Sequence, residues 1–482
     1  MLTKGGAMHR DCTSRQGRRG TARRPARGAP RGAALTALLT VLVVLLIAAE
    51  AQAYAPGHLI WAKRIGTSTS EAAAWSIARG PNGAVALAGR QYASPIGSAP
   101  MVAKYTAAGR KWVRTYPASG SASAVAFDRA GNVYVVASVN PGPGGDIVVI
   151  KYSAAGDWQW TTPPYDAPGY FAGRLAVDRS GDVIVVVPHP NQNATGTIFS
   201  LLKYDTNGAL AWPAPVTYDP ASIDPAAVTA DPTDVTVDGD GDIYVSGYTT
   251  YIRDSHYVDS GLVLKFAGAN GSRLSRFMDF TLGATESQFS DVVVRGSTVV
   301  AVGTTYDPAD WNLREGLVAK FDLGLHPQYR KEWGGAGTRE LFQQAVIDGK
   351  GNVYVTGKRL LVTGSGGYTK VVTLKLGPRL LKALWQVTYM PRSRFAQGQR
   401  IARDGAGNVY VSGVTTMGDY DKFLTIKYSP SGARRWLRTW SGGGVNASPG
   451  GLALGAKGDV FVAGTATAAS GFEQAALLRY QR

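Results

Sequence analysis

Asp404-Gly405-Ala406-Gly407-Asn408-Val409-Tyr410-Val411-Ser412-Gly413 reads as a tight turn running into a strand, and the chain repeats it. Asp in first place and Gly in fourth suit a type I turn, and the residues after Asn408 are mostly β-branched or aromatic. Asp348 to Gly357 and Asp128 to Ala137 are close copies, and degenerate copies run from Gly83, Gly181, Gly241, Ser297 and Gly458. Eight copies at intervals of 48 to 60 residues mark a repeat architecture.

Working outward, each repeat holds four strand-like pieces. The first ends at the Asp of the turn, as in Ala124 to Asp128, Arg174 to Asp178 and Asp234 to Asp238. The second is the Val-Tyr-Val piece. The third ends in a cation and an aromatic or Leu, as in Lys104-Tyr105, Lys151-Tyr152, Lys320-Phe321 and Arg479-Tyr480. The fourth follows a Gly turn and carries Trp, as in Trp112, Trp212 and Trp436. No stretch has a helical period. Four short strands per repeat is one propeller blade. The segment around Trp61 is a fourth strand with no blade before it, and the last repeat stops at its third strand, Ala475 to Tyr480. The expected fold is therefore all-β, an eight-bladed β-propeller closed by its N-terminal strand, with seven blades as the alternative should the degenerate repeat at Ser297 be something else. Closure would remove the open sheet edges that invite aggregation.

Residues 1–53 read differently. Arg18 to Arg31 is rich in Arg, Gly, Pro and Ala, an apolar run follows from about Ala33 to Ala49, and Ala51-Gln52-Ala53 offers small residues at a cleavage site. This is the pattern of an export signal, with the propeller expected over 54–482 and a secreted or cell-surface location. The other reading of the same run is an uncleaved signal anchor. The leader also carries seven of the net +17, nine Lys/Arg against Asp11 and Glu50 in 1–53, leaving about +10 for the body. No dense basic run occurs there, so nucleic acid is not an expected partner. The single cysteine, Cys12, lies in the leader, which excludes disulfides, thiolate metal sites and a cysteine nucleophile in the body.

Gly407 to Gly413, followed by Asp421 to Gly432, resembles the bacterial SBBP-type β-propeller repeat. The resemblance covers about Tyr54 to the end and implies an exported propeller, with no particular active site. The Gly-x-x-x-Trp element is similar to the tryptophan-docking repeats of eight-bladed quinoproteins, which would imply a quinone-dependent dehydrogenase. The vicinal cysteines and metal-ligand motif of that family are missing, so the similarity extends to packing and no cofactor is expected.

Repeated positions are read as structural. The recurring Lys/Arg is expected to lay its stem on apolar surface with its charge in water, and the turn carboxylates to cap turn amides. Asp238-Gly239-Asp240-Gly241-Asp242 begins like a calcium loop, but Ile243 and Thr249 stand where Gly and Glu are required. The His residues lack metal-ligand spacing, so no metal is expected. Trp61, Trp112, Trp158, Trp160, Trp212, Trp333, Trp385 and Trp436 are assigned to packing in fourth strands. Function is sought instead where loops break the repeat. Three successive repeats are enlarged on one face. His189 lies in the first, Tyr251, Arg253, Asp254, His256 and Tyr257 in the second, and Asp307, Asp310, Trp311 and Arg314 in the third. These ten are the candidate ligand-binding residues, Trp311 foremost because it is an aromatic outside the packing positions. The expected function is a monomeric, non-catalytic binding or scaffold module for a protein or carbohydrate. The alternative is an extracytoplasmic lyase, hydrolase or quinone-dependent oxidoreductase with a site at the channel mouth.

Overall fold

The computed structural model describes residues 55–482 apart from 68–69, 141–144, 168–172, 192, 194, 280–285, 308–309, 336–337, 364–365, 445 and 457; the leader, 1–53, and Tyr54 lie outside the described residues. The described chain is all-β. Its strands fall into seven hydrogen-bonded sheets. Five have four strands, one has a fifth short strand, and the eight-stranded one is two units of four joined by a single parallel bridge, Arg314 with Arg339. Within each unit consecutive strands pair antiparallel, the meander of a β-propeller blade.

The opening motif explains the unit. Asp404 Oδ1 accepts the amide of Asn408 at 2.9 Å, and its Oδ2 accepts the Asn408 side chain at 2.9 Å and the Tyr410 hydroxyl at 3.0 Å. The turns at Asp128 and Asp348 repeat this set. Turn, Asn and Tyr are thus one local hydrogen-bonded device, and the carboxylates cap turn amides as expected. The Asp238 string is the same turn, its Oδ1 accepting the amides of Asp240 and Asp242 at 2.9 and 3.0 Å. The Val-Tyr-Val strands are buried on both faces, because each sheet is covered by its neighbours. Every apolar cluster mixes residues of two successive units, as Val85, Tyr105, Phe461 and Leu477 do.

The third-strand cation departs from expectation. Lys104, Lys151, Lys203 and Lys320 are buried, not snorkelling to water. Each ammonium donates to a carbonyl in the third-to-fourth turn of the following unit: Lys104 to Ala154, Lys151 to Thr206, Lys203 to Gly268 and Lys320 to Pro378, at 2.8–3.0 Å. A buried cation needs such acceptors, since an unpaired one would be severely penalised. The fourth-strand tryptophans follow the same rule. Trp160 and Trp385 donate to Thr206 and Pro430 at 3.0 Å, and lie over Gly208 and Gly432, where a Cβ would strike the indole. Trp158 is an exception to the packing assignment: it is 60% exposed, and Trp160 fills the seam.

The strand Leu59–Ile65 pairs antiparallel with Glu473–Tyr480, Trp61 opposite Arg479 and Ile65 opposite Ala475. Trp436 lies over Gly57, which takes the place of the turn glycine in that unit.

Candidate functional site

The last glycine of the opening motif has a role the motif alone does not reveal. Among the described residues the pairing register slips by one residue in seven first strands, leaving Trp75, Ser123, Thr233, Ser290, Gln343, Gln399 and Gly450 as the extra residue of a β-bulge. Opposite the slip stands Gly413 in one unit and Gly357 in another; a Cβ there would run into the carbonyls of Gln397 and Leu341. The glycine makes room for the bulge, and a bulge re-aims the side chains next to it.

What the bulges aim is a cavity of about 550 Å³ lined by first strands of all eight repeats. Each contributes the residue four before its turn: Ser76, Ala124, Arg174, Asp234, Asp291, Gln344, Arg400 and Gly451. One position, held constant in geometry, carries two Arg, two Asp and one Gln on one arc and Gly, Ser and Ala on the other. On the polar arc the side chains also stitch neighbouring units. Asp234 accepts the amide of Val292 at 3.4 Å, Asp291 that of Ala345 at 2.9 Å, and Gln344 that of Ile401 at 3.0 Å. Arg174 donates to the carbonyl of Thr233 in the next unit at 2.6 Å, whereas Arg400 donates within its own strand, to the carbonyl of Gln399 at 3.0 Å.

Burial pushes the Asp234 carboxyl up to about 6, against partial relief from two amides and Arg174. Asp291 is raised well above the usual carboxylate range by burial and by the charge of Asp234. Near neutral pH the pair therefore holds a proton that separate carboxylates would have lost. On the small-residue arc Trp75 is 41% exposed and lines the cavity, with the guanidinium of Arg90 5.9 Å from its ring centre. Gly450, against which Trp75 rests, has no room for a Cβ. The site thus sets an accessible indole across from donors and acceptors of both charges. Sequence reading missed all of these residues. The available signal was the column four residues before each turn Asp, variable where the rest of the first strand repeats, and Trp75 as the one indole in a first strand.

The ten sequence-derived candidates lie elsewhere. The enlargements of the fourth and fifth repeats are strand extensions rather than loops: Ile243–Arg253 pairs with His256–Phe266, and Thr298–Asp307 with Asp310–Phe321. Alternate side chains of such hairpins must face neighbouring units. Tyr251 is accordingly buried, with Arg253 5.3 Å above its ring and 3.7 Å from Asp224. Asp254 and Ser255, at φ 46° and 63°, form the two-residue turn, and His256 Nδ1 lies 2.7 Å from the Asp254 carbonyl. Tyr257 is 69% exposed. His189 sits 2.9 Å from Ser200 Oγ and edge-on to Tyr165. Asp307 pairs with Asp310 at the other hairpin end, and Arg314 stacks 5.6 Å from the Tyr306 ring. The side chains of Asp310 and Trp311 lie outside the described residues. The two hairpins meet lower down, where Asp259 accepts from Tyr306 and Gln288, each at 2.6 Å.

No family model and no curated protein matches this chain. Among solved structures, the polysaccharide lyase Uly1 aligns over 88% of this chain and 99% of its own, at 8% identity and a TM-score of 0.50. The β-propeller domain of the Trilobed protease from Pyrococcus furiosus, described as having an open velcro topology, aligns over 76% and 94% at 7% identity and a TM-score of 0.44. Sqt1 from Chaetomium thermophilum aligns over 88% and 99% at 10% identity and a TM-score of 0.48. At such identities the likeness to the lyase bears on the fold alone.

Proposed function

We propose that this protein is an exported, eight-bladed, ring-closed β-propeller that binds a saccharide in its central channel without turning it over. The ring reading is supported by the Leu59–Ile65 strand on Glu473–Tyr480 and by the eight first strands around one cavity. The observation that carries the binding reading is the split of one repeated position into a charged arc facing an exposed indole. Sugars present apolar C–H faces that stack on aromatic rings and hydroxyls that take paired hydrogen bonds. Trp75 supplies the ring, and Arg174, Asp234, Asp291, Gln344 and Arg400 supply donors and acceptors in a partly desolvated site, where such bonds are strong. About 550 Å³ accommodates one or two sugar residues. Export rests on the basic, apolar and Ala51-Gln52-Ala53 segments of the leader.

The test is binding of fluorescent protein to an array of mono- to tetrasaccharides. Trp75→Ala should abolish binding with little loss of stability, because the indole is accessible and supports no blade core. Retention of binding by Trp75→Ala, or no saccharide bound by the wild type, refutes the assignment. A second reading, a lyase or hydrolase working at the same channel, is favoured by one observation: the proton-sharing Asp234–Asp291 pair has the character of a general acid and base. Release of reducing ends from a bound polysaccharide, lost in Asp291→Asn, would select it.

A further inference from the structure

The opposite use of charge appears where the first strands end. The first-to-second turns of five successive repeats surround a recess of about 620 Å³ with Arg79, Arg129, Arg179 and Arg295 on its wall. All four are exposed, and none of their guanidinium groups has a hydrogen bond or ion pair among the described residues. The carboxylates beside them are spent inside their own units. Asp128 is taken by Asn132 and Tyr134, Asp238 by its turn amides and Tyr244, and Asp178 by its turn amides and the buried Lys203. Arg179 is laid toward the next unit, against Gly239, where a Cβ would collide with its guanidinium. Hydrogen bonding leaves the charges of Asp128 and Asp238 in place, while Asp178 is paired by Lys203, so the four guanidinium charges outnumber the unpaired carboxylates of the wall and the surplus attracts an anion.

We propose that this recess is a second binding site, for a linear polysaccharide carrying sulfate or carboxylate groups. Guanidinium forks match such oxyanions in a bidentate manner, and their spread over five units suits anions spaced along a chain. The surroundings disfavour other polyanions. Single-stranded nucleic acid needs ring faces for its bases. The one aromatic here, Phe127, is half-buried under the Lys104 ammonium at 5.4 Å. A membrane surface needs apolar side chains that project from a rim, whereas Pro81, Gly239 and Gly296 are what the rim offers.

The probe is heparin, titrated calorimetrically into the full chain at low salt. Wild type should bind it, more weakly as salt rises, whereas any heat from uncharged dextran should be unaffected by changes to the recess arginines. Arg129→Glu with Arg179→Glu should weaken binding about tenfold or more, the loss expected from two charge-assisted contacts. Arg435→Glu, an exposed cation on a fourth strand, should leave it unchanged, as should Trp75→Ala, which separates this site from the channel. Thermal melts check folding, and Arg129→Gln with Arg179→Gln repeats the test without charge reversal. Equal losses in the Arg435 and recess variants, or none in the recess variants, overturns the proposal. So does single-stranded DNA or a phosphatidylglycerol vesicle held through these arginines as tightly as heparin.

Discussion

Asp234→Asn should make the protein more stable at neutral pH, and the amount follows from the channel geometry. The carboxyl rises from 3.8 to about 6 because it is buried, and the hydrogen bonds it accepts and the charge of Arg174 offset only part of that rise. That is roughly two pK units, or about 3 kcal/mol between protonation states. A raised folded-state pKa means the folded protein keeps a proton that the unfolded chain has released. The contribution of Asp234 to stability is then full below about pH 3.8 and is lost as pH rises through about 6. Asn resembles the protonated acid: it can still accept from Val292 and donate toward Asp291. At pH 4 the variant should match wild type; at pH 7.5 it should exceed it by about 1–3 kcal/mol, and relief of Asp291 works in the same direction. Urea unfolding followed by tryptophan fluorescence at the two pH values reads this difference. Carboxylates with the opposite slope, such as Asp348 and Asp404, which turn hydrogen bonds hold below their usual range, are common to both proteins and cancel. A variant equal to or weaker than wild type at pH 7.5 would refute the reasoning, since it would mean that the charge is already compensated. A stability cost borne at one variable position is what a functional site predicts.

Trp436→Ala should cost roughly 3–5 kcal/mol by the usual penalty for a buried aromatic, because Trp436 is 5% exposed between Tyr410, Tyr480 and Gly57; a thermal melt reads it, and a loss under 1 kcal/mol would remove it from the seam. Deleting residues 54–66 should bare the edge of Glu473–Tyr480 and produce aggregates by light scattering; a soluble, folded deletion would count against closure. N-terminal sequencing of secreted protein should begin near Tyr54, whereas an intact leader in the membrane fraction would replace export by anchoring.

The sequence by itself determined whatever one repeat can decide within its own length. Asp404, Asn408 and Tyr410 bond across four and six residues, and strands alternate with period two, so turn and strand could be read directly. The strands Leu59–Ile65 and Glu473–Tyr480, which pair, were legible in the same way, the one as a fourth strand carrying Trp61 and the other as a third strand ending in Arg479-Tyr480. What tertiary structure decided depends on the next unit, or on all of them at once. Lys104 is buried because its acceptor, Ala154, sits one repeat away, and nothing local distinguishes that from a surface lysine. The enlarged hairpins looked like binding loops because their polar residues are conspicuous in sequence, yet pairing across the sheet turned Tyr251 inward. The channel is the extreme case. Trp75 and Arg400 lie more than 300 residues apart and yet line one cavity. The bulge that aims them leaves a trace in sequence only as Gly413, a glycine whose reason is a carbonyl on the neighbouring strand.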